Sequence, residues 1–363
     1  MKKINFKIKE FEENFAKQLG ASYAVSCATG TAALHAALYA AGISHKDEVI
    51  LSPLAHPETA HAIRYLDGVP IYTDIDPLTG CLDPKAVKMR LSSNTKAVIA
   101  THYTGIPCDI DSLNQVLGGR EVVLIENASQ ALGAVWKGRK IGTISPLTIF
   151  DFSFEQSLYT ELGGMVVTDS LEYYRWLCLF RDEGMMYDRD ELVKEEGPWY
   201  YEAQEIGYNY RLTSMQAEIG LRQLPKLEQM QTGREETAEI YFRELAEIEG
   251  ITFLNPNEIS TSAWYSFPVV LEGRKLISHR REIIEELRGM GIQADVQYYP
   301  IYLHPIYLWQ GHPDVCTIEG PLCPRAEEFY SRVINLPIQP SFDNNITMCI
   351  VSSLKKLVQK FNK

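Results

Sequence analysis

The residues best placed for chemistry begin with Thr29-Gly30-Thr31, between a short predicted strand (23–26) and an alanine-rich helical run (32–41). A strand, a glycine-containing turn and a helix present free backbone N–H groups at the positive end of a helix dipole, which suits a dianion. Farther on, Glu126-Asn127-Ala128-Ser129-Gln130 brings polar side chains to the end of a predicted strand, 121–126. The stretch 152–165 is polar as well, and its ionisable side chains are Glu155, Tyr159 and Glu161. A loop carboxylate becomes an acid or base when desolvated; more commonly it is a solvated surface group. No lysine lies between Lys140 and Lys194, and no histidine between His102 and His279, so this part of the chain supplies neither an amine nor an imidazole.

The elements that must position these residues alternate. A first helix is predicted over 11–19. Strands follow at 48–52, 70–74, 95–101 and 121–126, separated by helices at 59–66, 83–91 and from about 111. Further strands are predicted at 148–154 and 164–168. Such alternation argues for a mainly parallel sheet between helices, with ligands beyond the strand carboxyl ends. A long helical stretch is expected over 210–230, with a break at Pro225, and another helix over 235–249. Beyond about residue 250 the pattern changes to a strand (263–271), a helix (278–290), a strand (292–298) and a terminal helix (344–361). The expected organisation is a large domain, 1–249, and a smaller α+β domain, 250–363, a division that suits 363 residues.

Composition narrows the function. Apolar residues make up 45% and charged residues 23%, and the net charge is −12 with a pI near 5.3. An acidic surface repels phosphate backbones, so nucleic acid is not an expected partner. The start of the chain has no apolar core of the kind a signal peptide carries, and no run of about 18 apolar residues suggests a membrane span. The seven cysteines are scattered without CxxC or His/Cys spacing, so no metal site is expected and the thiols read as reduced, cytoplasmic residues.

Several ordered segments resemble the DegT/StrS-type sugar aminotransferases. They are CATGTAALHAAL (27–38), DEVILSP (47–53), PIYTDIDPLTGCLDP (70–84), THYTGIPCDID (101–111), IENASQALGA (125–134), FDFSF and GGMVVT within 150–168, EIGYNYRLTSMQAEIGLRQL (205–224) and INLPIQP (334–340). They span nearly the whole chain. The resemblance implies an α/β protein of the fold-type I aminotransferase class, with a mainly parallel sheet between helices plus a smaller C-terminal α+β domain. It also implies pyridoxal phosphate (PLP) chemistry on a keto-sugar nucleotide.

Carried onto this sequence, the resemblance makes Gly30, Thr31 and Ser153 a phosphate cup, joined by Asn209 from a neighbouring subunit. His56 takes the position of the ring-stacking aromatic residue. Asn127 stands where the family has the aspartate that holds the pyridine nitrogen protonated, the electron sink of carbanion chemistry. Asparagine can only hydrogen-bond that nitrogen. Gln130 matches the glutamine near the phenolic oxygen. Arg211, Tyr298, Tyr299 and His304 match positions around the subunit interface and substrate mouth.

The Schiff-base lysine is missing. Counting forward from Phe-Ser-Phe at 152–154 places its position at Leu158; counting back from Gly-Gly-Met places it at Gln156. Neither is an amine, so this loop forms no covalent link to the cofactor and offers no lysine to shuttle protons. Three readings follow. The first is a repurposed enzyme acting on a sugar or sugar-nucleotide-like substrate, with PLP, pyridoxamine phosphate (PMP) or another phosphorylated ligand held non-covalently, or with none. Glu155, Glu161, His56 or Glu126 would then move protons. The second is an inactive binding or regulatory homologue that pairs with an active partner. The third is a PLP enzyme with a relocated lysine. A homodimer is the expected assembly.

Overall fold

The structure is a computed structural model that describes residues 6–153, 156–254, 256, 259–309 and 321–362. Helix α1 (Phe6–Leu19) packs on the rim of the large sheet, where buried Phe11 and Phe15 meet Phe150 and Phe152 at ring separations of 5.3 to 5.6 Å. Strand β1 (Tyr23–Cys27) leads through Thr29, whose side chain caps the next helix by accepting from Ala32 N–H. That helix, α2 (Gly30–Ala40), is buried on nearly every side, which its alanines allow. Next come β2 (Glu48–Leu51), α3 (Glu58–Tyr65), β3 (Val69–Tyr72), β4 (Thr95–Thr101), β5 (Val123–Asn127), β6 (Leu147–Asp151) and β7 (Gly164–Thr168).

These strands form one seven-stranded sheet in the order β1-β7-β6-β5-β4-β2-β3. The β3-β2-β4-β5-β6 run is parallel, while β7 pairs antiparallel with both β6 and β1. Strand β1 is therefore parallel to β6, and the carboxyl ends of β1, β4, β5 and β6 share one edge of the sheet. Along it stand the Thr29-Gly30 turn, Thr101, Asn127 and Asp151. Gly164 is the register partner of both Asp151 and Cys27. A Cβ on Gly164 would lie 2.5 Å from the Thr29 carbonyl oxygen, so the strand-to-helix turn closes only over a glycine.

A second core gathers the helices Leu227–Leu245, Arg280–Gly289 and Asn344–Asn362 over an antiparallel sheet of Ile251–Phe253, Ser266–Leu271 and Val333–Pro337. Residues such as Ile301, Tyr302 and Phe329 pack back onto the first core.

The sequence-based elements hold with some differences. The stretch 210–230 is not one helix. Residues 210–212 are extended, Thr213 and Gln216 form a capping box, and the helix Ser214–Gln223 passes through a 3-10 turn at Pro225 into Leu227–Leu245. The strand expected over 292–298 is a single bridge between Asp295 and Asn335, on the outer edge of Val333–Pro337, whose other edge pairs with Ser266–Leu271. The strand expected to run to 154 ends at Asp151, where the chain turns. A helix at Leu171–Arg181, capped by Ser170, was not expected.

Candidate active site

The carboxyl edge opens into a cavity of about 200 Å³ whose lining includes the last residues of β4, β5 and β6 and the segments that follow them. Its floor is a buried pair. His102 Nε2 lies 3.0 Å from Glu126 Oε2, and His102 Nδ1 accepts from Cys108 N–H at 3.0 Å. The backbone donor fixes the tautomer: the ring hydrogen sits on Nε2 and points at Glu126. Glu126 Oε1 also accepts from Ser145 N–H at 3.0 Å. The cavity touches His102 but not Glu126, which is fully enclosed. Glu126 thus orients the floor and does not face a ligand, a correction to its place among the proton-transfer candidates.

On the wall, Asn127 Oδ1 accepts from Ser129 Oγ–H at 2.7 Å and from Ser129 N–H at 3.2 Å, leaving its Nδ2 to donate inward. Gln130 is held on three sides. Its Oε1 accepts from Thr104 N–H at 2.9 Å, and its Nε2 reaches Gln297 Oε1 at 3.0 Å and the Tyr298 hydroxyl at 2.7 Å. His56 stands at the mouth, edge-on to the Tyr298 ring at 6.1 Å.

The end beside α2 is acidic. Thr31 Oγ1 donates to Glu58 Oε2 at 2.8 Å, and His56 Nδ1 lies 3.4 Å from the same oxygen. Asp151 packs directly on Gly30: a Cβ there would meet Asp151 Cγ at 2.6 Å and Oδ2 at 2.8 Å. Asp151 Oδ1 accepts from Ser153 N–H at 2.7 Å. Burial, with the charge of Glu58, pushes the Asp151 carboxyl above its ordinary value. Burial opposes ionisation of Glu58 too, but hydrogen bonds from His56 and Thr31 outweigh it and hold that carboxyl below its ordinary value. The bond to Glu58 raises His56 in turn, against burial. Neither Glu58 nor Asp151 was expected here. The Glu58 signal was the unusual Pro-Glu-Thr-Ala after His56.

Of the two positions counted for the lysine, Gln156 lines the cavity, whereas Leu158 is sealed in the apolar core. Asp151, not Ser153, faces Gly30, while Ser153 lines the wall beside it. The Gln156 loop is anchored to the helix Ser214–Gln223, since Gln223 Nε2 donates to the Tyr159 carbonyl at 2.6 Å and Gln223 Oε1 accepts from Tyr159 N–H at 3.1 Å.

The remaining candidates stand elsewhere. Glu161 is exposed on a backbone with positive φ, outside the cavity. Glu155 lies outside the described residues. Asn209 is exposed, and Arg211 is committed to Asp182 at 3.3 Å and Glu183 at 2.9 Å. Tyr299 faces His304 and Tyr330 at ring distances of 5.1 and 5.4 Å, and neither Tyr299 nor His304 lines the cavity.

Comparison with known proteins fits this arrangement. The model of the DegT/DnrJ/EryC1/StrS aminotransferase family matches residues 5–355. The chain belongs to that family. It is 32% identical to the spore coat polysaccharide biosynthesis protein SpsC of Bacillus subtilis, over 97% of this chain and 90% of that protein. It is 30% identical to the GDP-perosamine synthase of Escherichia coli, over 96% and 89%. Among solved structures it superposes on PseC of Helicobacter pylori, an aminotransferase involved in pseudoaminic acid biosynthesis, with a TM-score of 0.89, 27% identity and coverage of 99% and 92%. The fold is that of the fold-type I aminotransferases, and among the described residues no helix is long and apolar enough to cross a membrane.

Proposed function

We propose that this family member acts on a sugar or sugar-nucleotide-like ligand without a covalently bound cofactor. One observation carries the reading: no lysine lines the cavity among the described residues, and Gln156, one of the two positions that the resemblance gives for the lysine, stands in its wall. That also weighs against a relocated lysine.

PLP itself fits these residues poorly. Its phosphate would meet the carboxylates of Asp151 and Glu58 at the turn that should cradle it. Its ring nitrogen would face Asn127, which is neutral. The groups positioned to move a proton are His56, Glu58 and Asp151. Burial raises the Asp151 carboxyl and the bonds from His56 and Thr31 lower that of Glu58, and displaced titratable groups of this kind mark a functional site. Sugar hydroxyls suit the remaining wall of Asn127, Ser129, Gln130 and Tyr298.

The test is to add PLP, and separately PMP, to the purified protein, record the absorption spectrum, and follow with borohydride and intact mass. The expected result is no visible band and no mass adduct. A reducible adduct on a lysine would overturn the proposal.

The exposed loop that carries Asn209 supports a second reading, in which the chain pairs with another subunit. Ile206 is 83% exposed and Trp199 75%, apolar side chains on the stretch of chain that leads to Asn209. A cytoplasmic homodimer is the simplest such assembly, and an active homologue is the alternative partner. Light scattering of the pure protein, and co-purification with co-expressed homologues, separate the two; a monomer without partners counts against both.

A further inference from the structure

We infer that the end of the cavity beside α2 is built to receive a protonated amine and to refuse a phosphate. This rests on the reading that the cavity holds the ligand.

The helix start would normally favour an outside anion, with free N–H groups and the positive end of a dipole. In this chain the anions are its own. Asp151 occupies the space over Gly30, and Glu58 takes the Thr31 hydroxyl. His56, close to Glu58 and within electrostatic reach of Asp151, is the one cationic candidate for both carboxylates, and Asp151 forms no ion pair among the described residues. A phosphate would have to displace both side chains or share a small enclosed space with them, and like charges at such range are strongly unfavourable.

Two buried polar atoms mark where the cavity awaits a ligand. Gln156 Oε1 is buried against the cavity without a hydrogen-bond donor. Thr101, only 7% exposed, lines the cavity from the end of β4, and its hydroxyl, which can donate or accept, is buried without a partner. A buried polar group left without a partner is costly, so each marks a place where a ligand group is expected. At the end beside α2 the two carboxylates, Asp151 and Glu58, outnumber the one cationic candidate, His56. An ammonium brings three donors and no acceptor; a phosphate brings the reverse. The volume, below the range of about 300–1,000 Å³ for larger ligand pockets, suits one ring bearing that amine.

D-glucosamine and D-glucose test this, since they differ by an ammonium in place of a hydroxyl. Calorimetry in mildly acidic buffer, where the amine is protonated, should show glucosamine binding at least about tenfold tighter, roughly 1.4 kcal/mol. Asp151→Asn, which keeps the shape, should abolish that preference. Asp151→Ser combined with Glu58→Ala should gain inorganic-phosphate binding that the unaltered protein lacks, with melting curves checking that each variant folds. Equal binding of the two sugars, no binding of glucosamine, or phosphate competing with glucosamine in the unaltered protein each overturns the inference. Equal binding leaves the non-covalent reading of function standing. A reducible PLP adduct on a lysine defeats that reading regardless of the sugar result.

Discussion

Asp151 lies so close to Gly30 that a Cβ there would stand 2.6 Å from its Cγ. The contact joins the end of β6 to the start of α2, and it predicts a clash. Gly30→Ala should destabilise the protein by about 1–3 kcal/mol despite alanine's better helix propensity. Adding Asp151→Ala removes the nearest atom but leaves the Asp151 Cβ at 2.8 Å, and should recover part of the loss, as urea melts of the single and double variants would show.

Restoring the lysine alone should not restore cofactor chemistry. Gln156→Lys puts an amine in the cavity wall, but the carboxylates beside α2 still refuse the phosphate. The expected spectrum with PLP is unchanged. With Asp151→Ser and Glu58→Ala added, a borohydride-reducible adduct at position 156 should form. An equally strong adduct in the single variant would show that the acidic end does not govern binding.

The floor should be sensitive to one proton-sized change. Both Glu126 oxygens accept hydrogen bonds, from His102 and from Ser145 N–H. Glu126→Gln sets an NH₂ group against one of those donors and should cost about 1–3 kcal/mol. Thermal melts would check the loss.

A second buried ionic group supports the rim of the sheet. Glu12 Oε1 accepts from Arg181 at 2.6 Å and from Ser26 N–H at 2.8 Å, and the Arg181 side chain is 1% exposed. Asp182 meets the same guanidinium at 2.8 Å. Glu12→Ala leaves a buried cation short of a partner and should cost about 3–5 kcal/mol. Glu12→Gln, which keeps an acceptor, should cost less in a denaturant series.

Acid sensitivity should trace in part to His35. It is enclosed by Tyr65, Phe180 and Tyr208 at ring distances of 4.9 to 5.4 Å, and burial lowers it to about 4. The unfolded chain takes up that proton near pH 6.5 and the folded chain only near 4, so this contribution to stability is intact above 6.5 and falls away as pH drops toward 4. His35→Phe should flatten the dependence of unfolding free energy on pH within that window. An unchanged slope would mean that His35 is not the group responsible.

The alternating strands and helices were legible because a sheet buried on both faces writes apolar runs between turn residues, and α2 was plain from its alanines. The irregular segments were less so. Tyr210 reads as helical by composition, yet the capping box at Thr213 and Gln216 starts the helix after it. Residues 292–298 carry a strand-like pattern, but they meet Val333–Pro337 only at the Asp295–Asn335 bridge. In the site, the resemblance pointed to Asn127, Gln130 and Tyr298 and to Gln156 or Leu158, and the cavity brings together all of these but Leu158. Glu58 and Asp151 were not singled out, because they stand out only through a three-dimensional meeting with Thr31 and Gly30.

The carboxylates beside α2 also act as tethered competitors. A side chain fixed to the backbone meets its binding turn at an effective concentration in the millimolar range or above, without a diffusing partner. Free phosphate compounds at ordinary cellular levels would therefore start at a disadvantage that dilution never removes. The protein should fold with carboxylates already beside its helix start, and its melting temperature should be indifferent to added phosphate, unlike that of a protein stabilised by binding it.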